Sequence, residues 1–239
     1  KNLPSPNEAI FYTSGRTSNE AAFLYQLMVR KYGTNNLPDC SNMCHEASGV
    51  ALSNTVGIGK GSVRLEDFYI ADLILVIGQN PGTNHPRMLT ALSKAKANNA
   101  KIITVNPLTE TGLLTFKHPQ KVSHMLGSGV KLTDLYLNLN INTDAALLKC
   151  MLKMLLVKEE ASPGTVFDLE FISARTTGYD DLVKDLKNYK IDVLLDKCGV
   201  EREKVETAVD WIASSKKIII CWAMGITQHE NSVSIIQEI

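Results

Sequence analysis

The sequence predicts an α/β fold built on a mostly parallel sheet, and three observations carry that reading. Three solid apolar runs, at 73–77, 102–105 and 218–221, have strand length and no polar alternation, as strands covered on both faces require. Each run stops at a glycine or a polar turn. Between and after them lie stretches whose apolar residues recur at helical spacing.

Taken in chain order, "EAIFYTS" at 8–14 is a short apolar run ending at Ser14 and Gly15, and it reads as a strand. Thr17 or Ser18 then caps a helix running to about Tyr32, with Phe23, Leu24, Leu27 and Met28 on one stripe and Gly33 as the stop. "TNNLPDCSNM" is a polar loop, and a second helix starts near Cys44. "GIGKGS" at 57–62 is glycine-rich, but it follows no strand and lacks the Walker lysine position. It reads as a turn rather than a phosphate loop.

"ADLILVIGQNPGTNHP" gives a buried strand, then Gly78 and a polar loop. Pro86 suits the first turn of a helix that runs to about Asn98. "AKIITVNP" is the next strand. Strand, helix, strand with solid apolar strands is a parallel crossover unit. The later chain reads as mostly helical. Thr143 stands where an N-cap would open "DAALLKCMLKMLLVKE", followed by "GYDDLVKDLKNYK" and "EREKVETAVDWIASS". "KKIIICWAMGITQ" returns a strand ending at Met224 and Gly225.

The 25 basic residues balance the 25 acidic ones, so there is no electrostatic case for nucleic acid. No apolar run approaches the roughly 20 residues that span a bilayer, so no membrane insertion is expected. Five cysteines, odd in number and irregular in spacing, argue against a disulfide framework and for a reducing, cytoplasmic setting. No initiator Met opens the chain, and "SVSIIQEI" stops in mid-helix, so a piece of a longer protein is expected.

Ligands of open parallel sheets bind beyond the carboxyl ends of the strands. The turns at those ends offer neutral hydrogen-bonding groups, above all in "GQNPGTNHP", which suit ribose hydroxyls and a purine edge. No GxGxxG is present, which disfavours an ordinary dinucleotide fold. In "CSNMCHE", Cys40, Cys44 and His45 leave a metal site, a nucleophile and a buried thiol all open. Asp144 suits either the positive end of its helix or a ligand's donors.

In order, "TSGRTSNEAAFLYQLMVRKYGTNN", "CSNMCHEASGVAL", "ADLILVIGQNPGTNHP", "AKIITVNP", "NTDAALL" and "CWAMGITQH" resemble the molybdopterin oxidoreductases. The nearest likeness is to the formate dehydrogenase alpha-subunit-like, acid-resistance-linked branch. The resemblance covers essentially the whole chain. It implies the three-layer αβα middle domains of formate dehydrogenase and DMSO reductase, with residues 1–41 opening one α/β domain and 42–239 forming a second, nucleotide-binding one.

It also implies a molybdenum cofactor carried on two molybdopterin guanine dinucleotides, a small-molecule substrate and two-electron redox at the metal. Electrons would leave through a [4Fe-4S] cluster outside this chain toward an electron-transfer partner. Cys44 matches the family's metal ligand, and His45 the histidine beside it that handles a proton. Gly78, Asn80 and Thr83 match a turn that holds one guanine dinucleotide. Asn106 and Pro107 match a turn that usually reads Asp-Pro-Arg; here the acid is Asn and the arginine is Leu108. Thr143 and Asp144 match an element whose aspartate accepts from guanine. Met224, Gly225 and Gln228 match a further cofactor turn, and Ser14, Gly15 and Asn19 the opening turn toward the pterin. Glu46 departs from the glycine and proline common after the histidine in formate dehydrogenases. The isolated chain is expected to be inactive. The rival expectation is a non-catalytic α/β nucleotide-binding module that keeps the fold without the metal.

Overall fold

The computed structural model describes residues 2–13, 17–38, 40–120, 122 and 127–239. Its centre is a four-stranded parallel sheet. β1 (Leu73–Ile77) pairs on one side with β2 (Lys101–Val105) and on the other with β6 (Ile218–Trp222). β5 (Leu135–Leu137) lies outside β2, giving the order β5-β2-β1-β6. A separate antiparallel pair joins β3 (Thr115–Phe116) to β4 (Val130–Lys131).

All five residues of β1 are buried, because alternate side chains enter two different cores. Leu73, Leu75 and Ile77 meet Leu147, Met151, Val205 and Ile235 on one face. Ile74 and Val76 meet Leu89, Leu92 and Ala95 on the other. Each such side chain contributes about 1.5–3 kcal/mol on burial. This is the three-layer αβα arrangement with a parallel sheet that the sequence predicts.

The crossover helix Pro86–Ala97 opens on Pro86 as expected and carries Leu89, Leu92 and Ala95 inward. The second layer is led by helix Asp144–Ala161 and helix Arg202–Ser214. Thr143 holds the N-cap position, but its hydroxyl donates back to the Asn140 carbonyl (2.6 Å) instead of capping the helix. Among the described residues, no helix is long and apolar enough to cross a membrane.

The opening segment departs from expectation. Residues 8–13 form no strand: Pro6–Glu8 is a 3-10 turn, and the Phe11 amide donates to the Asn36 carbonyl of the following loop. A strand needs a neighbouring strand, and none lies beside this run among the described residues. Helix Asn19–Tyr32 forms as expected, capped by Ser18 and stopped by Gly33 at φ +106°. Its apolar stripe, however, lies open, with Phe23 and Leu24 exposed by 59% and 65%. β3, β4 and β5 fall between the expected strand 102–105 and the helix expected from Thr143, a stretch where the sequence predicts no element, although Leu135 and Leu137 alternate around Tyr136.

Candidate functional site

The strand order reverses between β1 and β6, since β2 and β5 build outward on one side and β6 returns to the other. Such a reversal leaves a crevice at the carboxyl ends of the strands. There the two turns touch backbone to backbone: the Gly225 amide donates to the Gly78 carbonyl at 3.0 Å. A Cβ on Gly78 would lie 2.8 Å from the Gly225 carbonyl carbon, and Gly78 has φ +57°. Only glycine meets both demands. Beside the crossing lies a cleft of about 290 Å³, lined from β2 by Asn106, Pro107, Leu108 and Glu110. Segment 139–142 and Asp144 form the opposite wall, and Gly225 and His229 come from the turn after β6.

Asp144 is only 6% exposed, at the first turn of its helix. Burial pushes its carboxyl up from the ordinary aspartate value, while His229 and its own backbone amide pull the other way. The His229 Nε2 lies 3.6 Å from Asp144 Oδ2. Glu110 accepts from Asn80 Nδ2 at 2.9 Å, and its own amide donates to the Tyr136 hydroxyl. Asn106 donates to the Gln79 carbonyl and accepts from Asn138, so it ties three strand ends together. Among the described residues no Lys or Arg lines this cleft. Two carboxylates and several amides make it rich in acceptors. That suits a ligand edge carrying N–H or O–H donors and repels a phosphate.

Cys44 ends the short helix Cys40–Cys44, and His45 alone separates it from helix Glu46–Val56. Its thiol is free and half-buried. The turn after β6 grips its backbone. Thr227 Oγ1 donates to the Cys44 carbonyl at 2.7 Å, and Gln228 Nε2 donates to the Met43 carbonyl at 3.0 Å. Thus one turn reaches the cleft through His229 and the cysteine through Thr227 and Gln228. His45 Nδ1 lies 3.4 Å from Ser48 Oγ, which itself accepts from Trp222 Nε1 at 2.9 Å. His45 also borders a second hollow of about 440 Å³, with Gly59, Lys60, Gly61, Gln79 and Cys221 on its walls. The glycine-rich loop therefore lies beside the histidine, not at a strand end. Gln79 is 8% exposed, and its Oε1 has no hydrogen-bond partner, an acceptor left open beside this hollow. Burial pushes the Cys221 thiol up to about 12, which keeps it protonated.

The expected site residues divide between these places. Gly78, Asn106, Pro107, Asp144 and Gly225 line the first cleft. Asn80 supports it through Glu110 and caps the short helix Pro81–Asn84 by accepting from the Thr83 amide. Thr83 and Met224 are exposed, and Asn19 is exposed on the first turn of its helix, lining none of these hollows. Ser14 and Gly15, with the side chain of Cys40, lie outside the described residues. Sequence reasoning missed Glu110, Ser48, Trp222, Thr227 and His229. Trp222, Thr227 and His229 lie within "CWAMGITQH" and Ser48 within "CSNMCHEASGVAL", whereas Glu110 falls in none of the quoted motifs. Among the described residues, which leave out the side chain of Cys40, no group of three or more His, Cys, Asp or Glu could hold a metal ion. A single thiolate from Cys44 suits a metal whose other ligands come with a cofactor.

The family model for molybdopterin oxidoreductase matches residues 2–239. An uncharacterized oxidoreductase of Mycobacterium tuberculosis is 51% identical over 99% of this chain and 30% of its own length. Protein YdeP of Escherichia coli is 46% identical over 98% of this chain and 32% of its own. The alpha subunit of the F420-dependent formate dehydrogenase of Methanocaldococcus jannaschii is 28% identical over 99% of this chain and 32% of its own. The chain thus spans about a third of the length of these relatives. Among solved structures, acetylene hydratase from Pelobacter acetylenicus superposes with a TM-score of 0.65 at 22% identity, over 88% of this chain and 25% of that one. That likeness concerns the fold.

Proposed function

The chain belongs to the molybdopterin oxidoreductase family, and from that premise we propose that it forms one guanine-dinucleotide-binding half of a formate-dehydrogenase-like enzyme. The proposed cofactor, molybdenum carried on two molybdopterin guanine dinucleotides, would when bound supply two-electron redox chemistry. The observation that carries the reading is the acceptor-rich cleft around Asp144 at the switch point, which no Lys or Arg lines among the described residues. A guanine edge presents two N–H donors side by side, and an ionised carboxylate is their natural acceptor. Glu110 and Asn106 on the facing wall suit ribose hydroxyls. The diphosphate would lie outside this wall, away from the two carboxylates.

Cys44 is proposed as the protein's thiolate ligand to the metal, its backbone held by Thr227 and Gln228. His45 is proposed to hold or move a proton beside it, oriented by Ser48 and Trp222. The open acceptor on Gln79 suits a donor group of the pterin. Glu46 borders the same hollow as Cys44, so a small anion such as formate would approach against a negative charge. The [4Fe-4S] cluster, the electron-transfer partner and the cytoplasmic setting complete the proposal, all outside this chain. Residues 1–41 are proposed to open a further α/β domain whose remainder covers the open stripe of Phe23 and Leu24. Alone, the chain would be inactive.

One observation favours the second reading, a nucleotide-binding module without the metal. Asn106 and Leu108 replace the acid and arginine of the resembled turn, and the Asn106 amide is spent on Gln79. Metal analysis of the full-length protein separates the two. Molybdenum present in the native protein and lost on Cys44→Ala supports the enzyme. A native protein that binds guanine nucleotide without molybdenum supports the module.

A further inference from the structure

His229 sits on the turn between the short helix Met224–Thr227 and helix Ser232–Glu238. Its side chain is 20% exposed, and its Nε2 lies 3.6 Å from Asp144 Oδ2. Both side chains line the same cleft. The charged groups on the surrounding elements are directed elsewhere or stand in solvent. Lys149, on the helix of Asp144, pairs with Asp185 and Glu238. Glu110 across the cleft accepts from Asn80. Glu46 on the neighbouring helix and Glu230 on the same turn are exposed. Among the described residues, the imidazole is the group that can set a positive charge against Asp144.

We propose that His229 is a positioning residue for the guanine-accepting carboxylate: its Nε2, 3.6 Å from Asp144 Oδ2, holds that carboxyl aimed into the cleft and, when it carries a proton, favours the carboxylate form. The inference rests on reading this cleft as a guanine site. A buried carboxylate without a cation drifts toward its neutral form. A neutral aspartic acid presents one donor and one acceptor, a mismatch for two adjacent N–H donors. An opposite charge within about 4–6 Å counters that drift in part. The turn thus joins two places: Thr227 and Gln228 bond to the Cys44 segment while the next residue faces Asp144, so three consecutive side chains link the cysteine to the cleft.

The test uses the full-length protein purified with its cofactor. Samples are passed through gel filtration in buffers from about pH 4 to about pH 8, and the GMP released by acid hydrolysis of the retained fraction is measured. His229→Gln is expected to raise the acid limit of GMP retention by about one pH unit, with retention near wild type at the alkaline end. His229→Lys, which keeps a positive charge, is expected to leave the limit where wild type has it. An acid limit unchanged in His229→Gln overturns the proposal. Should circular dichroism show His229→Gln unfolded, His229→Lys carries the test, and a raised limit in it overturns the proposal. Wild type without GMP at any pH, or Asp144→Asn that retains it fully, overturns the guanine reading beneath it instead.

Discussion

Replacing Gly78 by alanine adds one carbon where the turns after β1 and β6 cross, and the structure sets two costs. The first is conformational, since Gly78 has φ +57°, where an L side chain loses about 1–2 kcal/mol. The second is steric. The new Cβ would lie 2.8 Å from the Gly225 carbonyl carbon and 3.0 Å from the Ile226 nitrogen, both backbone atoms that cannot rotate away. Overpacking of this kind costs about 1–3 kcal/mol, so Gly78→Ala should lose about 2–5 kcal/mol. Gly225→Ala meets the same contact from the other side, with its Cβ 2.6 Å from the Gly78 Cα, but without the left-handed penalty. It should lose about 1–3 kcal/mol. Urea denaturation of the two variants and wild type reads both values, provided the slope of the transition is unchanged. Losses below about 0.5 kcal/mol in both variants would refute the crossing as a rigid backbone contact.

Asp144 has a raised carboxyl in the fold, so its ionisation opposes folding: stability is fully present below the unfolded pKa and declines as pH rises through the folded one. Asp144→Asn should therefore raise the melting temperature of the cofactor-free protein at neutral pH, with the gain vanishing below about pH 4, and should abolish guanine retention. An equal gain at all pH values would contradict the assignment. Cys150 and Cys221 are both pushed up to about 12 by burial, so iodoacetamide at about pH 8 should label Cys44 and spare these two, as read by peptide mass spectrometry. Thr227→Val removes the hydroxyl bonded to the Cys44 carbonyl. It should cost about 1 kcal/mol in denaturation and reduce molybdenum content; full occupancy would show that this grip does not position the cysteine.

The sheet was legible because its central strands β1 and β2 are buried on both faces. β1 and β2 read as unbroken apolar runs for a physical reason: two cores, not one, receive their side chains. The capped helix Asn19–Tyr32 was legible from Ser18 and Gly33, which act locally. Residues 8–13 misled because apolar composition does not provide a strand's hydrogen-bonding neighbour. β5 escaped because it is three residues long and only partly buried. Gly78, Asp144 and Gly225, expected from the order of motifs, do line the cleft at the switch point. Glu110 and His229 line it too but were not expected, since they meet there only when loops from separate strands converge. The hydrogen bonds of the Gln228 amide to the Met43 and Cys44 carbonyls likewise join segments far apart in the chain, which no local motif displays.

The central claim is that one cleft and one cysteine on this chain serve the same cofactor. Molybdenum and acid-released GMP, measured together on the full-length protein and on its Cys44→Ala and Asp144→Asn variants, test it most directly. The expected result is both components in fixed proportion in the native protein, molybdenum lost with Cys44 and GMP lost with Asp144. A native protein containing neither component, or variants that keep both in full, would contradict it.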